Sequence, residues 1–170
     1  MNEPDSTVRL QTLMAQTPDT FCLVHGASEG QTPLNAFDNA LLEAGVGDTN
    51  LMRMSSILPP GVSQAECSAL DLPAGGFIPL AYAHVQSSKP GEIIASAVAV
   101  GIPEDDSLPG VIMEYGDCSR LVQVESRARQ MIQNAFENRH RALGKIRSVG
   151  VEHRVKDCAA SFAGVVLWYK

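Results

Sequence analysis

Apolar positions along the chain fall into two rhythms, one of period two and one of helical period, broken by glycine and proline. Thr20-Phe21-Cys22-Leu23-Val24-His25 is rich in strand formers and stops at Gly26, with Gly30 close behind. This reads as a strand feeding a glycine-containing turn. Thr32 is placed to cap a helix whose first residue is Pro33, where a missing N–H costs nothing, and Leu34, Phe37, Leu41 and Ala44 fall on one face. Gly45-Val46-Gly47 ends that helix. Asn50 to Leu58 reads as a strand running into Pro59-Pro60-Gly61, which cannot continue a sheet ladder. After a loop to about Pro73 come three apolar segments, 76–86, 91–102 and 108–115, separated by Lys89-Pro90-Gly91 and by Pro103-Glu104-Asp105-Asp106. Such short links predict strands paired antiparallel.

From Ser119 to about His140, Leu121, Val124, Ala128, Met131 and Ala135 recur at helical spacing, with Glu125 and Arg129 as an exposed i,i+4 pair. Two strands, 145–155 and 158–169, close the chain. Residues 1–18 hold no sustained period and read as a frayed lead-in or short helix, followed by a single domain over 19–170. The order strand, helix, strands, helix, strands, without regular alternation, predicts an α+β fold with helices packed over antiparallel sheet.

Composition narrows the function. The chain has 170 residues with 45% apolar and 19% charged side chains, enough for one packed core. A formal net charge of −6 leaves no basic footprint for nucleic acid. No apolar run is long enough for a signal or a membrane span, so the expected compartment is the cytoplasm. Cys22, Cys67, Cys118 and Cys158 lie far apart, without a C-x-x-C pair, and read as free thiols in a reducing compartment.

Several chemistries lack their residues. His25, His84, His140 and His153 share no metal-ligand spacing. Gly26-Ala27-Ser28-Glu29-Gly30 has neither a dinucleotide fingerprint nor the lysine of a P-loop, and Glu29 would repel phosphate. A serine hydrolase is poorly served, since its base would have to be a distant histidine. Lys89, Lys145, Lys156 and Lys170 stand at turns, strand ends or the terminus, with no evident apolar pocket to depress an amine pKa, so a lysine Schiff-base enzyme is weakly served.

One stretch offers a specific alternative. In Arg53-Met54-Ser55-Ser56-Ile57-Leu58-Pro59-Pro60 two serines precede a rigid proline pair. Taken alone, such a stretch is a turn. If its backbone is held distorted, however, the Ser56 hydroxyl can attack the carbonyl of Ser55 and form an ester, relieving the strain. Elimination then breaks the chain, and the new N-terminal residue hydrolyses to a pyruvoyl ketone with loss of ammonia.

Ser55-Ser56-Ile57-Leu58-Pro59-Pro60 resembles the self-cleavage site of pyruvoyl-dependent arginine decarboxylases. The run from Gly26 to Asp38, Asn50-Leu51, Pro90-Gly91-Glu92, Ile112-Met113-Glu114-Tyr115, Val151-Glu152-His153 and the ending Ala163 to Lys170 resemble that family in the same order. The likeness spans about residues 20 to 170. Two departures stand out: Gln31, where archaeal members usually carry an acidic residue, and extra length between Pro60 and Asp71.

The resemblance implies an αββα sandwich of antiparallel sheets with helices outside, assembled as a homotrimer with active sites between subunits. It implies cleavage between Ser55 and Ser56, a cofactor made from Ser56 without metal or pyridoxal phosphate, and conversion of L-arginine to agmatine and carbon dioxide. Glu114 is the expected proton donor, its apolar strand setting raising its pKa. Asp38, on the helix opened by Pro33, is expected to pair with the substrate guanidinium. Asn50 is expected to assist self-processing, donating to the oxyanion of the acyl shift. Glu29 is expected to bind loop amides and Glu92 to be structural. Two alternatives stay open at this point: a pyruvoyl-dependent decarboxylase of another amino acid, and a processing-defective subunit that binds without catalysis.

Overall fold

The computed structural model describes residues 17–169. Nearly all of the expected 1–18 lead-in therefore lies outside the described residues. In chain order the elements are β1 (Thr20–Glu29), α1 (Pro33–Glu43), β2 (Asn50–Arg53), β3 (Ile57–Leu58), β4 (Ser63–Gln64), a 3-10 turn (Cys67–Ala69), β5 (Phe77–Ser87), β6 (Ile93–Pro103), β7 (Gly110–Asp117), α2 (Leu121–Asn138), β8 (Leu143–Arg154) and β9 (Ala159–Trp168). As expected, the class is α+β: among the described residues there are two helices and two sheets, ordered β2-β5-β9-β1-β4 and β3-β7-β6-β8.

Strand alternation decides what each face covers. From β1, Phe21 turns inward to meet Ala163, Val165 and Leu167 of its own sheet and Val98, Val100 and Ile112 of the other, while Cys22 and Val24 turn outward under Ala36, Ala40 and Leu41 of α1. On the second sheet, Val111 faces Ala128, Ile132 and Phe136 of α2, and Val124 packs on Ala95 and Ala97. A Cβ at Gly101 would sit 2.5 Å from the Phe136 ring, so its absence lets α2 lie flat on β6. The hydroxyls of Ser96 and Ser161, both buried, meet at 2.8 Å and satisfy each other across the two sheets.

The α1 boundaries follow the sequence closely. The Asn35 amide donates to Thr32 Oγ1 at 3.2 Å, and the chain turns away through Gly45 at φ 77. Other expectations are corrected. The strand does not stop at Gly26: β1 continues to Glu29 because Gly26, Ala27 and Ser28 pair with Phe162, Ser161 and Ala160 of β9, and Gly26 has no Cβ to strike Ala40 of α1. Long-range pairing overrides the local glycine signal. The link after β5 does not close a hairpin either. β5 lies in one sheet and β6 in the other, so this short link steps between sheets, as does the one between β8 and β9; only β6 and β7 pair as expected. Two short pairs, β1 with β4 and β2 with β5, are parallel. Glu125 and Arg129 do not pair directly but share Ser148 of β8, which donates to Glu125 at 2.6 Å and accepts from Arg129 at 2.8 Å.

The cysteine expectation also changes. Cys22 and Cys67 are joined in a disulfide, with Cα atoms 5.3 Å apart, while Cys118 and Cys158 are free. Forty-five residues separate the pair in sequence, and only the fold brings the 3-10 turn against β1. No helix among the described residues is long and apolar enough to cross a membrane.

Candidate active site

The single strand expected over 50–58 is two strands in two sheets. β2 pairs with β5 in the first sheet and β3 with β7 in the second, so Met54, Ser55 and Ser56 carry the chain from one sheet to the other. Both ends of this crossing are tied. The Met54 amide donates to the Leu80 carbonyl at 3.0 Å, and the Ile112 amide donates to the Ser56 carbonyl at 2.8 Å. Ser56 meets the geometric demand with φ 68, in the left-handed region that suits glycine and costs another residue about 1–2 kcal/mol. The proline pair that follows resists spreading this bend downstream.

Side-chain positions place a carboxylate on that strained residue. Val111, Met113 and Tyr115 of β7 face α2, so by alternation Ile112 and Glu114 face the first sheet. The Ser56 hydroxyl donates to Glu114 Oε1 at 2.7 Å. Burial raises the Glu114 pKa; the Ser56 hydrogen bond and the Arg53 charge pull it back, and the net direction is upward. Arg53 is itself held, its guanidinium 4.7 Å from the Tyr82 ring centre and donating to the Tyr82 carbonyl at 3.0 Å. Beside it, burial and then the Arg53 charge lower the pKa of His84, which packs between Phe37 and Tyr82.

A cavity of about 370 Å³ opens here, of a size that suits a small ligand. Ser55, Ser56, Glu114, Arg53, Met131 and Arg139 are among its lining residues. Thus the structure brings together Ser55, Ser56 and Glu114 of the expected site residues. Asp38 is exposed on α1, over the outer face of the five-stranded sheet, and does not line this cavity. Asn50, also outside it, opens β2 and donates its side-chain amide to the Gly75 carbonyl at 2.8 Å. Sequence reasoning missed Arg53 and Arg139. Arg53 stands three residues before Ser56 and could have been noticed for its charge; Arg139 reaches the cavity through folding alone.

A second carboxylate shows the opposite environment. Glu29, at the end of β1, accepts from the backbone amides of Lys156, Asp157 and Cys158 at 2.9, 3.1 and 3.1 Å and lies 2.7 Å from His153 Nε2. The amides are the partners expected for it. Burial works to raise its pKa, but the Lys156 amide, the His153 ring and the other two amides outweigh it and hold the group at about 2.

Comparison with known proteins gives a consistent picture. The family model described as pyruvoyl-dependent arginine decarboxylase matches residues 20–168. The chain is 50% identical over 155 residues to the pyruvoyl-dependent arginine decarboxylase of Methanocaldococcus jannaschii, covering 90% of this chain and 92% of that one. The enzymes of the same description from Methanococcus aeolicus and Pyrococcus abyssi are 42% and 37% identical, covering 91% and 89% of this chain and 93% and 96% of theirs. Among solved structures, a pyruvoyl-dependent histidine decarboxylase at pH 8 aligns with TM-score 0.47 and 16% identity, over 58% of this chain and 52% of that one.

Proposed function

Because the chain belongs to the pyruvoyl-dependent arginine decarboxylase family, we propose that it cleaves itself between Ser55 and Ser56 and uses Ser56 as the source of its cofactor. The activity is that of a carboxy-lyase, converting L-arginine to agmatine and carbon dioxide. The observation that carries the reading is Ser56 itself: a non-glycine residue at φ 68 whose hydroxyl already rests on a half-buried carboxylate.

That geometry fits the chemistry of self-processing. The Ser56 oxygen attacks the carbonyl carbon of Ser55 while Glu114 accepts the hydroxyl proton across the existing hydrogen bond. The peptide C–N bond breaks, the nitrogen of Ser56 takes up a proton, and an ester links the two residues. Opening the strained turn favours this direction. Loss of the Ser56 α-proton then expels Ser55 as a carboxylate, and water replaces the nitrogen, which leaves as ammonia. A ketone made from Ser56 would supply an electrophile for the substrate α-amine and an electron sink for the loss of carbon dioxide.

The remaining tasks fall to residues of the chain. Glu114, whose pKa burial raises, gives a proton to the substrate carbon after decarboxylation. Asn50 fixes the start of β2 through Gly75, which positions the crossing for processing. Asp38 pairs bidentately with the guanidinium of arginine bound at a neighbouring subunit's cavity. A homotrimer with sites between protomers accounts for its distance from Ser56 on one chain, and exposed Met52, Met54 and Ile57 beside the crossing supply apolar surface for such contacts. Coverage of one sheet by α1 and of the other by α2 supports an αββα sandwich. Residues 19–170 then form one domain, working in the cytoplasm without metal or pyridoxal phosphate.

Phenylhydrazine, which modifies ketones, tests the assignment. It should label the N-terminus of the fragment starting at position 56 and abolish arginine-dependent carbon dioxide release. Full activity with no labelled fragment would reject Ser56 as the cofactor source.

A further inference from the structure

Cleavage between Ser55 and Ser56 divides the chain into fragments of 55 and 115 residues, and the smaller one contains a single cysteine, Cys22. Its disulfide partner, Cys67, belongs to the larger fragment. We propose that Cys22 and Cys67 form a reversible covalent staple joining the two fragments of the processed protein. The proposal rests on the self-cleavage reading above, since without a break the same bond would close a loop within one chain.

Placement supports this use. Cys22 is buried in the middle of sheet pairing, with β1 paired to β9 over its whole length, so the residue is fixed whether or not the chain is cut. Cys67 sits half-buried on a three-residue turn against β1, reachable by a small reagent. The Cα separation of 5.3 Å lies inside the span a disulfide bridges without moving the backbone. Without the staple the fragments are held only by noncovalent contacts, the β1–β9, β1–β4 and β2–β5 ladders and the core, and an opened β1 could leave; with it, return is intramolecular.

The redox step balances with a low-molecular-weight disulfide as oxidant. The Cys67 thiolate attacks one of its sulfurs and expels a thiolate, forming a mixed disulfide. The Cys22 thiolate then attacks Cys67 Sγ and expels the second, so two protein thiols are oxidised and one small disulfide is reduced to two thiols. An excess of dithiol reverses both exchanges.

Native, processed protein treated with oxidised glutathione, blocked with N-ethylmaleimide and denatured gives the test on electrophoresis with and without reductant. The expected result is one band near 18.2 kDa without reductant and two bands with it. Two bands under both conditions would overturn the staple while upholding cleavage. One band under both would overturn the cleavage reading and the staple with it. Cys67→Ser should give two bands without reductant; a single reducible band in that variant would mean Cys22 pairs with Cys118 or Cys158, overturning the assignment. Cys118→Ser should behave as wild type.

Discussion

Glu29 and Glu114 are the same side chain in two corners of one fold, and the fold treats them oppositely. Around Glu29 three backbone amides and a histidine converge, so the charge is satisfied and the pKa falls to about 2. Around Glu114 burial dominates, the side-chain hydrogen-bond donor is the hydroxyl of a strained serine, and despite the Arg53 charge the pKa rises. A carboxylate met by amides is a fixed anion that ties β1 to the link between β8 and β9. The first corner holds a fixed charge and the second a carboxyl group whose pKa is raised, and the difference lies in how many backbone amides each group is offered.

Removing the strained partner has the largest expected effect. Ser56→Ala lacks the nucleophilic oxygen, so the chain should stay whole and inactive on electrophoresis under reduction; cleavage in that variant would move the site elsewhere. Glu114→Gln keeps the shape but not the exchangeable proton, and kcat for arginine should fall by roughly 100-fold or more. Unchanged kcat would deny Glu114 a proton-transfer role. Asp38→Asn should lower kcat/KM for arginine by about 30-fold with cleavage intact, because one charged partner of the guanidinium is lost. Equal kcat/KM in the two proteins would remove Asp38 from substrate recognition.

The smallest effect concerns stability and sharpens the contrast through its sign. Glu29 has a lowered folded-state pKa, so its contribution is present above the ordinary value of 4.5 and is lost as pH falls toward about 2. Glu114 has a raised one, so its contribution is present below 4.5 and is lost as pH rises through the folded-state value. Glu29→Gln should cost about 2 kcal/mol at pH 7, from weakened charge-assisted hydrogen bonds, and should flatten the acid limb of the unfolding curve. Urea midpoints across pH measure both; an acid limb as steep as wild type would show that Glu29 does not govern it.

Local order was readable where side-chain pattern and chain direction agree. The Thr32 cap, the Pro33 start and the Gly45 exit of α1, the long amphipathic α2 and the α+β class were all legible in the residues. Misreadings share one cause: partners distant in sequence. Gly26 to Ser28 continue a strand because β9 lies alongside, and the short link at 88–92 steps between sheets because two apolar faces must stack. Nothing local marks Cys67 as the neighbour of Cys22. For the site, the Ser-Ser pair before two prolines announced a strained corner, and the apolar strand announced a shifted Glu114. The split of 50–58 between sheets, which explains the strain, and the presence of Arg53 and Arg139 beside it, depend on packing alone.

Intact mass of the purified wild-type protein, denatured and fully reduced, tests the central claim most directly. The account predicts two species of 55 and 115 residues, the larger beginning at position 56 with a ketone in place of its α-amine. A single species of 18.2 kDa from a preparation that decarboxylates arginine would contradict it.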